Sequence, residues 1–247
     1  MSTADDWRTR AAAFGGGAAS YERARPSYPE PALDWLLPAE PSRVLDLGAG
    51  TGKLGRQAAD RGHSVVAVEP AERMREQLAA ARPDIQVMAG SAEAIPLSDA
   101  SVDAVVVGQA WHWFDPARAV PEVARVLKPG GRLGLIWNIR DLNDPWMAEL
   151  SGLEPPHDNS EAESAAPTIG APFAPYERHD HAWRQTLTPT EVLHQLASRS
   201  YVILLPEAER SALMETVRRF LAGDPRTAGL AEVSLPYVTR CTRTTLP

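Results

Sequence analysis

Cysteine is almost absent from this chain of 247 residues: Cys241 stands alone, so no intramolecular disulfide can form. A thiol in that position reads as a buried or spectator group rather than a nucleophile. Lysine is nearly as scarce, with only Lys53 and Lys128, and 32 acidic residues outweigh 25 basic ones for a net charge of -7. A dedicated nucleic-acid binder needs a concentrated basic face, whereas these arginines are scattered among Asp and Glu as on a solvated surface. Long apolar runs are missing too. None approaches the ~20 residues needed to span a bilayer, and residues 1–10 are polar, unlike a secretory leader. The expectation is a cytoplasmic protein with no nucleic-acid and no membrane partner, as a monomer or a homodimer. Aromatic residues make up only 6% of the chain, yet hydrophobic residues reach 44%, enough for a sizeable core.

Along the chain, residues 1–42 form a lead-in with a glycine patch at Gly15, Gly16 and Gly17, and Pro26, Pro29 and Pro31 exclude one continuous helix there. From Arg43 the pattern changes. Short apolar runs at 44–47, 65–68, 85–89, 102–107 and 133–137 alternate with amphipathic stretches at 53–61, 71–81 and 116–127. Most of the runs are continuous rather than alternating, as strands buried on both faces of a parallel sheet must be. The third amphipathic stretch has Asp115 as N-cap and Pro116 at its first position, and it stops at the turn Lys128-Pro129-Gly130-Gly131. Five such units predict an α/β fold: a Rossmann-like, doubly wound, mostly parallel seven-stranded sheet with helices on both faces and an antiparallel C-terminal strand pair. Beyond Trp137 the rhythm fades. Residues 154–175 carry five prolines among polar residues and read as a long loop, either a lid or a spacer. A strand is expected at 177–186, an amphipathic helix at 206–221 and a final strand at 233–242. One domain accounts for the whole: a lead-in at 1–42, a core at 43–140 and a substrate-side part at 141–247.

The first strand runs into Asp46-Leu47-Gly48-Ala49-Gly50-Thr51-Gly52. Glycines at alternate positions allow a tight turn and bring bare amides against a ligand at a helix N-terminus. A P-loop is excluded, because Gly52-Lys53 is followed by Leu54 and the earlier glycine it requires is Leu47. A dinucleotide fold fits better, with Gly50, Gly52 and Gly55 in G-x-G-x-x-G and Glu69 about 20 residues on. The short-chain oxidoreductase version fails, since neither lysine has a tyrosine four positions before it.

The string 44–52 resembles the signature of class I S-adenosylmethionine-dependent methyltransferases, with an acidic residue two before the first glycine. Four further segments match in order. Residues 66–70 resemble the ribose-binding strand end, 90–97 the adenine loop, 102–105 the fourth strand and 127–133 the turn into the fifth. The match is close over 43–137. More loosely, residues 21–29, 110–114 and the C-terminal part are similar to a branch of microbial small-molecule methyltransferases that includes trans-aconitate methyltransferase-like enzymes. One departure is Ser91, where that loop often carries Asp; a hydroxyl still accepts from an adenine amino group, without charge assistance.

The resemblance implies S-adenosylmethionine as cofactor, S-adenosylhomocysteine as product and no metal. It places Gly48, Ala49 and Gly50 beside the methionine part, Asp46 near its ammonium group, and Glu69 on both ribose hydroxyls with Pro70 next to it. Met74, Ser91, Ala92 and Glu93 fall to the adenine, Gln109 to the methionine portion through its backbone, and Tyr21 and Arg25 to a segment folding over the cofactor. Trp111, His112, Trp113 and Phe114 follow the fourth strand at the carboxyl edge of the sheet, where ligands bind in such folds. The aromatic rings suit the wall of an acceptor pocket, and His112 titrates in the range proton transfer needs. Asn138 and Arg140 are further pocket candidates. His179 and His181 share a strand face, but no third ligand stands at metal-binding spacing. The expected activity is methylation of a small-molecule acceptor in secondary metabolism, on a carboxylate or hydroxyl oxygen first and on nitrogen or carbon second. The alternatives are a nicotinamide-dependent oxidoreductase and a protein that binds the cofactor without transferring methyl.

Overall fold

The structure, a computed structural model, describes residues 26–155 and 166–247. Tyr21 and Arg25 lie outside the described residues. In chain order the elements are α1 (Glu30–Leu36), β1 (Arg43–Leu47), α2 (Lys53–Asp60), β2 (Ser64–Val68), α3 (Glu72–Ala81), β3 (Gln86–Met88) and β4 (Val102–Gly108). There follow a 3-10 turn (Trp111–Trp113), α4 (Pro116–Val126), β5 (Leu127–Arg140), α5 (Pro145–Gly152), β6 (Glu177–Leu187), α6 (Pro189–Ala197), α7 (Ser200–Ile203), α8 (Glu207–Gly223) and β7 (Val233–Thr245).

The sheet has seven strands in the order β3-β2-β1-β4-β5-β7-β6. Parallel ladders join β3 to β2, β2 to β1, β1 to β4 and β4 to β5. Hydrogen bonds set the last strands antiparallel. Gly130 and Gly131 pair with Leu246, while Asp141 N reaches Pro236 O. Likewise Arg243 meets Glu177, Arg240 meets Asp180, and Arg184 meets Ser234. The fold is therefore Rossmann-like, a mostly parallel sheet with helices around it. The strand order reverses between β1 and β4, and open α/β sheets bind ligands outside the carboxyl ends of the strands at such a switch point. The glycine-rich turn after β1 and the aromatic segment after β4 both begin there.

The chain divides into two compact units. One comprises 27–138, the described part of 164–181, and 239–247. Its core gathers Leu33, Leu36, Val44, Leu54, Ala58, Leu78, Ala104, Val106, Ile136 and Cys241, all buried. Burial pushes the Cys241 thiol up to about 12, so it packs as an inert hydrophobe. The other comprises Pro26, 139–155 and 182–238 among the described residues, with its own core of Trp146, Met147, Leu150, Leu196, Val217 and Leu235. Within it, buried Arg140 is ion-paired with buried Glu154, which also accepts from the Tyr201 hydroxyl.

Local signals account for most boundaries. Asp115 caps α4 by accepting from Ala117 N at 3.0 Å, as its sequence position implies. Where a turn is expected at 128–131, β5 runs from Leu127 onward, because Gly130 N and Leu246 N complete a backbone pair with Leu246 O and Gly131 O. Helices α5, α6 and α7 fall where no helix is expected. The signals for two of them are legible. Asp144-Pro145 caps α5, and Thr188 with Glu191 forms a complete capping box on α6. No helix among the described residues is long and apolar enough to cross a membrane.

Candidate active site

The turn after β1 is built on left-handed glycines, Gly48 at φ 69° and Gly50 at φ 57°. They are not equivalent. A Cβ on Gly48 would stand 3.0 Å from Ala110 Cβ and 3.1 Å from the Phe114 ring, so this glycine is needed for a close approach. A Cβ on Gly50 would meet nothing within 4 Å, so its backbone faces open space. The amides of Gly48 and Ala49 both donate to Val68 O, at 2.9 and 3.2 Å, which ties the turn to the end of β2.

Two carboxylates organise this end of the sheet. Asp46 is only 1% exposed, and its Oδ2 accepts from Gly55 N at 2.8 Å. Burial pushes its carboxyl up to about 7; the Gly55 amide opposes the rise and the nearby charge of Glu69 adds to it. Asp46 therefore braces the first turn of α2 against β1. Glu69, 8% exposed, accepts from Gly50 N through Oε2 and from Ala71 N through Oε1, each at 2.9 Å. Burial raises its carboxyl as well, against the pull of those two amides and Arg75. Each carboxylate oxygen has a second lone pair, so Glu69 keeps acceptor capacity beyond these bonds.

The remaining sequence-predicted residues fall into three groups. Met74 is buried on α3, and Pro70 is exposed beside Glu69. Ser91 bridges to Ala94 and Ala92 is buried, while Glu93 Oε1 accepts from Asp115 N at 3.0 Å and so holds the cap of α4. Gln109 sits at φ 59°, an uncommon conformation for a residue with a side chain. Its amide donates to Ile136 O at 2.9 Å and its Nε2 to Asn138 O at 3.3 Å.

On the 3-10 turn, Trp111 is buried and stands edge-on to Phe114 at 5.7 Å, the ring that covers Gly48. His112 is half-buried, its ring 4.4 Å from Trp113, which is 36% exposed. This brings His112 and the aromatic wall to the strand end that adjoins the glycine turn. Asn138 is buried and fully engaged: Nδ2 donates to Ser27 O at 3.3 Å and Oδ1 accepts from the Thr239 hydroxyl at 2.5 Å. Arg140 has a different occupation from the pocket position its sequence suggests, being committed to Glu154 and Ser151 in the other unit. His179 and His181 are ring neighbours at 4.3 Å, and no group of three or more potential metal ligands occurs among the described residues.

Sequence reasoning missed Tyr28, whose hydroxyl lies 2.6 Å from where a Gly108 Cβ would be. It is held there by a reciprocal pair of bonds between its backbone and the Gln57 amide, 3.0 and 2.8 Å. No local pattern announces that contact, since Tyr28 and Gln57 are 29 residues apart.

Comparison with known proteins agrees with the geometry. Residues 45–135 match the methyltransferase domain family model. The chain is 49% identical over 244 residues to an uncharacterized methyltransferase of Mycobacterium tuberculosis, covering 97% of this chain and 98% of the relative. It is 35% identical over 241 residues to an uncharacterized methyltransferase-like protein of Schizosaccharomyces pombe, at 92% coverage of each. A solved structure from Anaeromyxobacter dehalogenans, assigned provisionally as a type II methyltransferase, superposes with a TM-score of 0.63 at 26% identity, covering 89% of this chain and 97% of that one. With a glycine turn, a strand-end glutamate and an aromatic segment gathered at the switch point of this sheet, the chain belongs to the class I S-adenosylmethionine-dependent methyltransferases.

Proposed function

We propose that the enzyme methylates a small-molecule acceptor, with a carboxylate or hydroxyl oxygen as the favoured target and nitrogen or carbon as the alternatives. The observation that carries the reading is the open space over Gly50 beside Glu69, a glycine turn with a carboxylate bonded at its rim. The looser likeness to trans-aconitate methyltransferase-like enzymes, a cytoplasmic setting and a reaction without metal belong to the same proposal.

The residues fit an adenosyl sulfonium. Glu69 has acceptor capacity for two ribose hydroxyls, Ser91 and Ala92 offer a hydroxyl and an amide to the adenine edge, and Met74 supplies apolar surface beside it. Gly48, Ala49, Gly50, Asp46 and the backbone of Gln109 surround the methionine portion. When bound, the group supplies an electrophilic methyl on a good leaving group. What remains for the chain is to align the acceptor and exclude water. Trp111, Trp113 and Phe114 do so as an aromatic wall. His112 takes a proton where the acceptor must lose one; a carboxylate acceptor needs no such step.

Calorimetry with S-adenosylhomocysteine, followed by an acceptor panel with methyl-labelled cofactor, tests this reading. Labelled product from a carboxylic acid or alcohol supports it. A folded enzyme that binds neither form of the cofactor, or that labels only macromolecules, overturns it.

A further inference from the structure

β3 is the edge strand of the sheet and only three residues long, so the segment that follows it has no neighbouring strand on its outer side. Its position is set from α4 instead. All five N–H groups of the Arg125 guanidinium are engaged. Nε donates to Glu122 Oε1 at 2.7 Å, Nη1 to Leu97 O at 2.7 Å and to Asp99 Oδ1 at 2.8 Å, and Nη2 to Ile95 O at 2.9 Å and to Glu122 Oε2 at 2.8 Å. Glu122 Oε2 also accepts from Ile95 N at 2.9 Å, so both backbone groups of Ile95 are gripped by the same pair. Arg125 in turn holds the Glu122 carboxyl below its usual range.

An exposed ion pair ordinarily joins two mobile side chains and orders little else. Here two bonds of the fork end on main-chain carbonyls of one loop. A planar guanidinium fixes direction as well as distance, which an ammonium cannot. Two residues before Ile95 the loop is tied again through Glu93, which accepts from Asp115 N. Ser91 and Ala92 therefore lead directly into a stretch, 93–99, that is clamped to both ends of α4.

We propose that Arg125, acting with Glu122, is a positioning residue that sets the base selectivity of the cofactor site. This rests on the reading that residues 90–97 receive the adenine. Telling an adenine edge from a hypoxanthine edge requires an acceptor and a donor held in place, because a loop free to shift re-pairs with either. Arg125 touches no ligand itself; it keeps Ser91 and Ala92 where only one purine pattern satisfies them both.

The test is calorimetry of the full chain with S-adenosylhomocysteine and with S-inosylhomocysteine. The wild-type protein is expected to prefer the adenine compound by about tenfold or more. Arg125→Met is expected to reduce that preference to about twofold, mainly through weaker binding of the adenine compound. Arg125→Lys, which keeps the charge but not the fork, falls between and serves if the methionine variant does not fold. Arg82→Met is the control. It removes bonds to Asp60, Asp84 and Arg56 O, none of them on the loop, and should leave the ratio unchanged. Undiminished discrimination in the folded Arg125 variants overturns the proposal. A wild-type protein that binds the adenine compound without preferring it instead overturns the adenine reading of the loop, and the proposal with it.

Discussion

Glu69 Oε2 lies 2.9 Å from the amide nitrogen of Gly50, so the end of β2 is bonded directly to the turn that follows β1. The two residues follow neighbouring parallel strands, and the bond turns two separate sequence motifs into one rim. The carboxylate helps shape the cradle, at the rim where the proposed function seats the ribose.

Glu69→Gln tests both roles. The amide keeps the size and one acceptor but loses the charge that strengthens a hydroxyl contact. Charged hydrogen bonds contribute ~1.5–3 kcal/mol, so affinity for S-adenosylhomocysteine should fall about 10- to 100-fold. An affinity within about twofold of wild type, read by calorimetry, would remove Glu69 from the ribose.

Gly50→Ala and Gly48→Ala should fail in different ways. At Gly50 the added methyl meets no atom, so the fold loses only the ~1–2 kcal/mol of a left-handed alanine while the methyl intrudes on the cradle. At Gly48 the methyl adds crowding against Ala110 and Phe114 to the same backbone strain. Gly50→Ala should therefore weaken cofactor binding more than it lowers Tm, and Gly48→Ala the reverse. Equal Tm losses with unchanged binding would contradict the assignment.

Asp46 gives the enzyme a pH dependence of known sign. Its carboxyl titrates near 7 when folded against an ordinary 3.8, so the folded state holds the proton more tightly. The stabilisation is complete below about 3.8 and is lost as pH rises through about 7. Above that, the ionised carboxylate favours a cationic ligand nearby. Wild-type Tm should thus decline between those values while affinity for the sulfonium form of the cofactor rises through neutrality. Asp46→Asn, which still accepts from Gly55 N, should flatten both curves; a variant with wild-type slopes would argue against this titration.

Glu154 and Arg140 form a buried ion pair in the second unit. Burial alone would raise the Glu154 carboxyl, but the guanidiniums of Arg140 and Arg199 outweigh it and hold the group below its usual range. Removing one partner strands a buried charge. Glu154→Leu should lower stability by about 3–5 kcal/mol, and Arg140→Met with Glu154→Leu should recover much of that loss. Thermal melts decide, and a double variant as unstable as the single one would show that the pair is not the unit that matters.

His112→Gln separates acceptor classes. With a hydroxyl acceptor, loss of a general base should reduce kcat about 100-fold or more, while a carboxylate acceptor should turn over almost as before. A uniform change in KM with kcat untouched would mark His112 as a pocket wall.

Much of the fold was legible because its signals are local. The buried runs of β1, β2 and β4 are continuous since both faces of a parallel sheet are covered, and that pattern survives in one dimension. Asp115 before Pro116 marks the start of α4 for a reason confined to one helical turn. The capping box of Thr188 and Glu191 is equally local, but the apolar spacing of the nine-residue α6 is too short to mark a helix.

By itself the sequence determined the alternating α/β order, the glycine turn after β1, the strand-end Glu69 and the family those motifs imply. Only the tertiary structure decided which of its glycines is open and which is covered. Gly48 and Gly50 look alike in the chain, and it takes Phe114, 66 positions beyond Gly48, to tell them apart. The same holds for Arg125, whose loop partners lie 26 to 30 residues away, and for Arg140, whose charge is answered by Glu154. Such pairings depend on where strands and helices come to rest in space, and no short-range propensity encodes that.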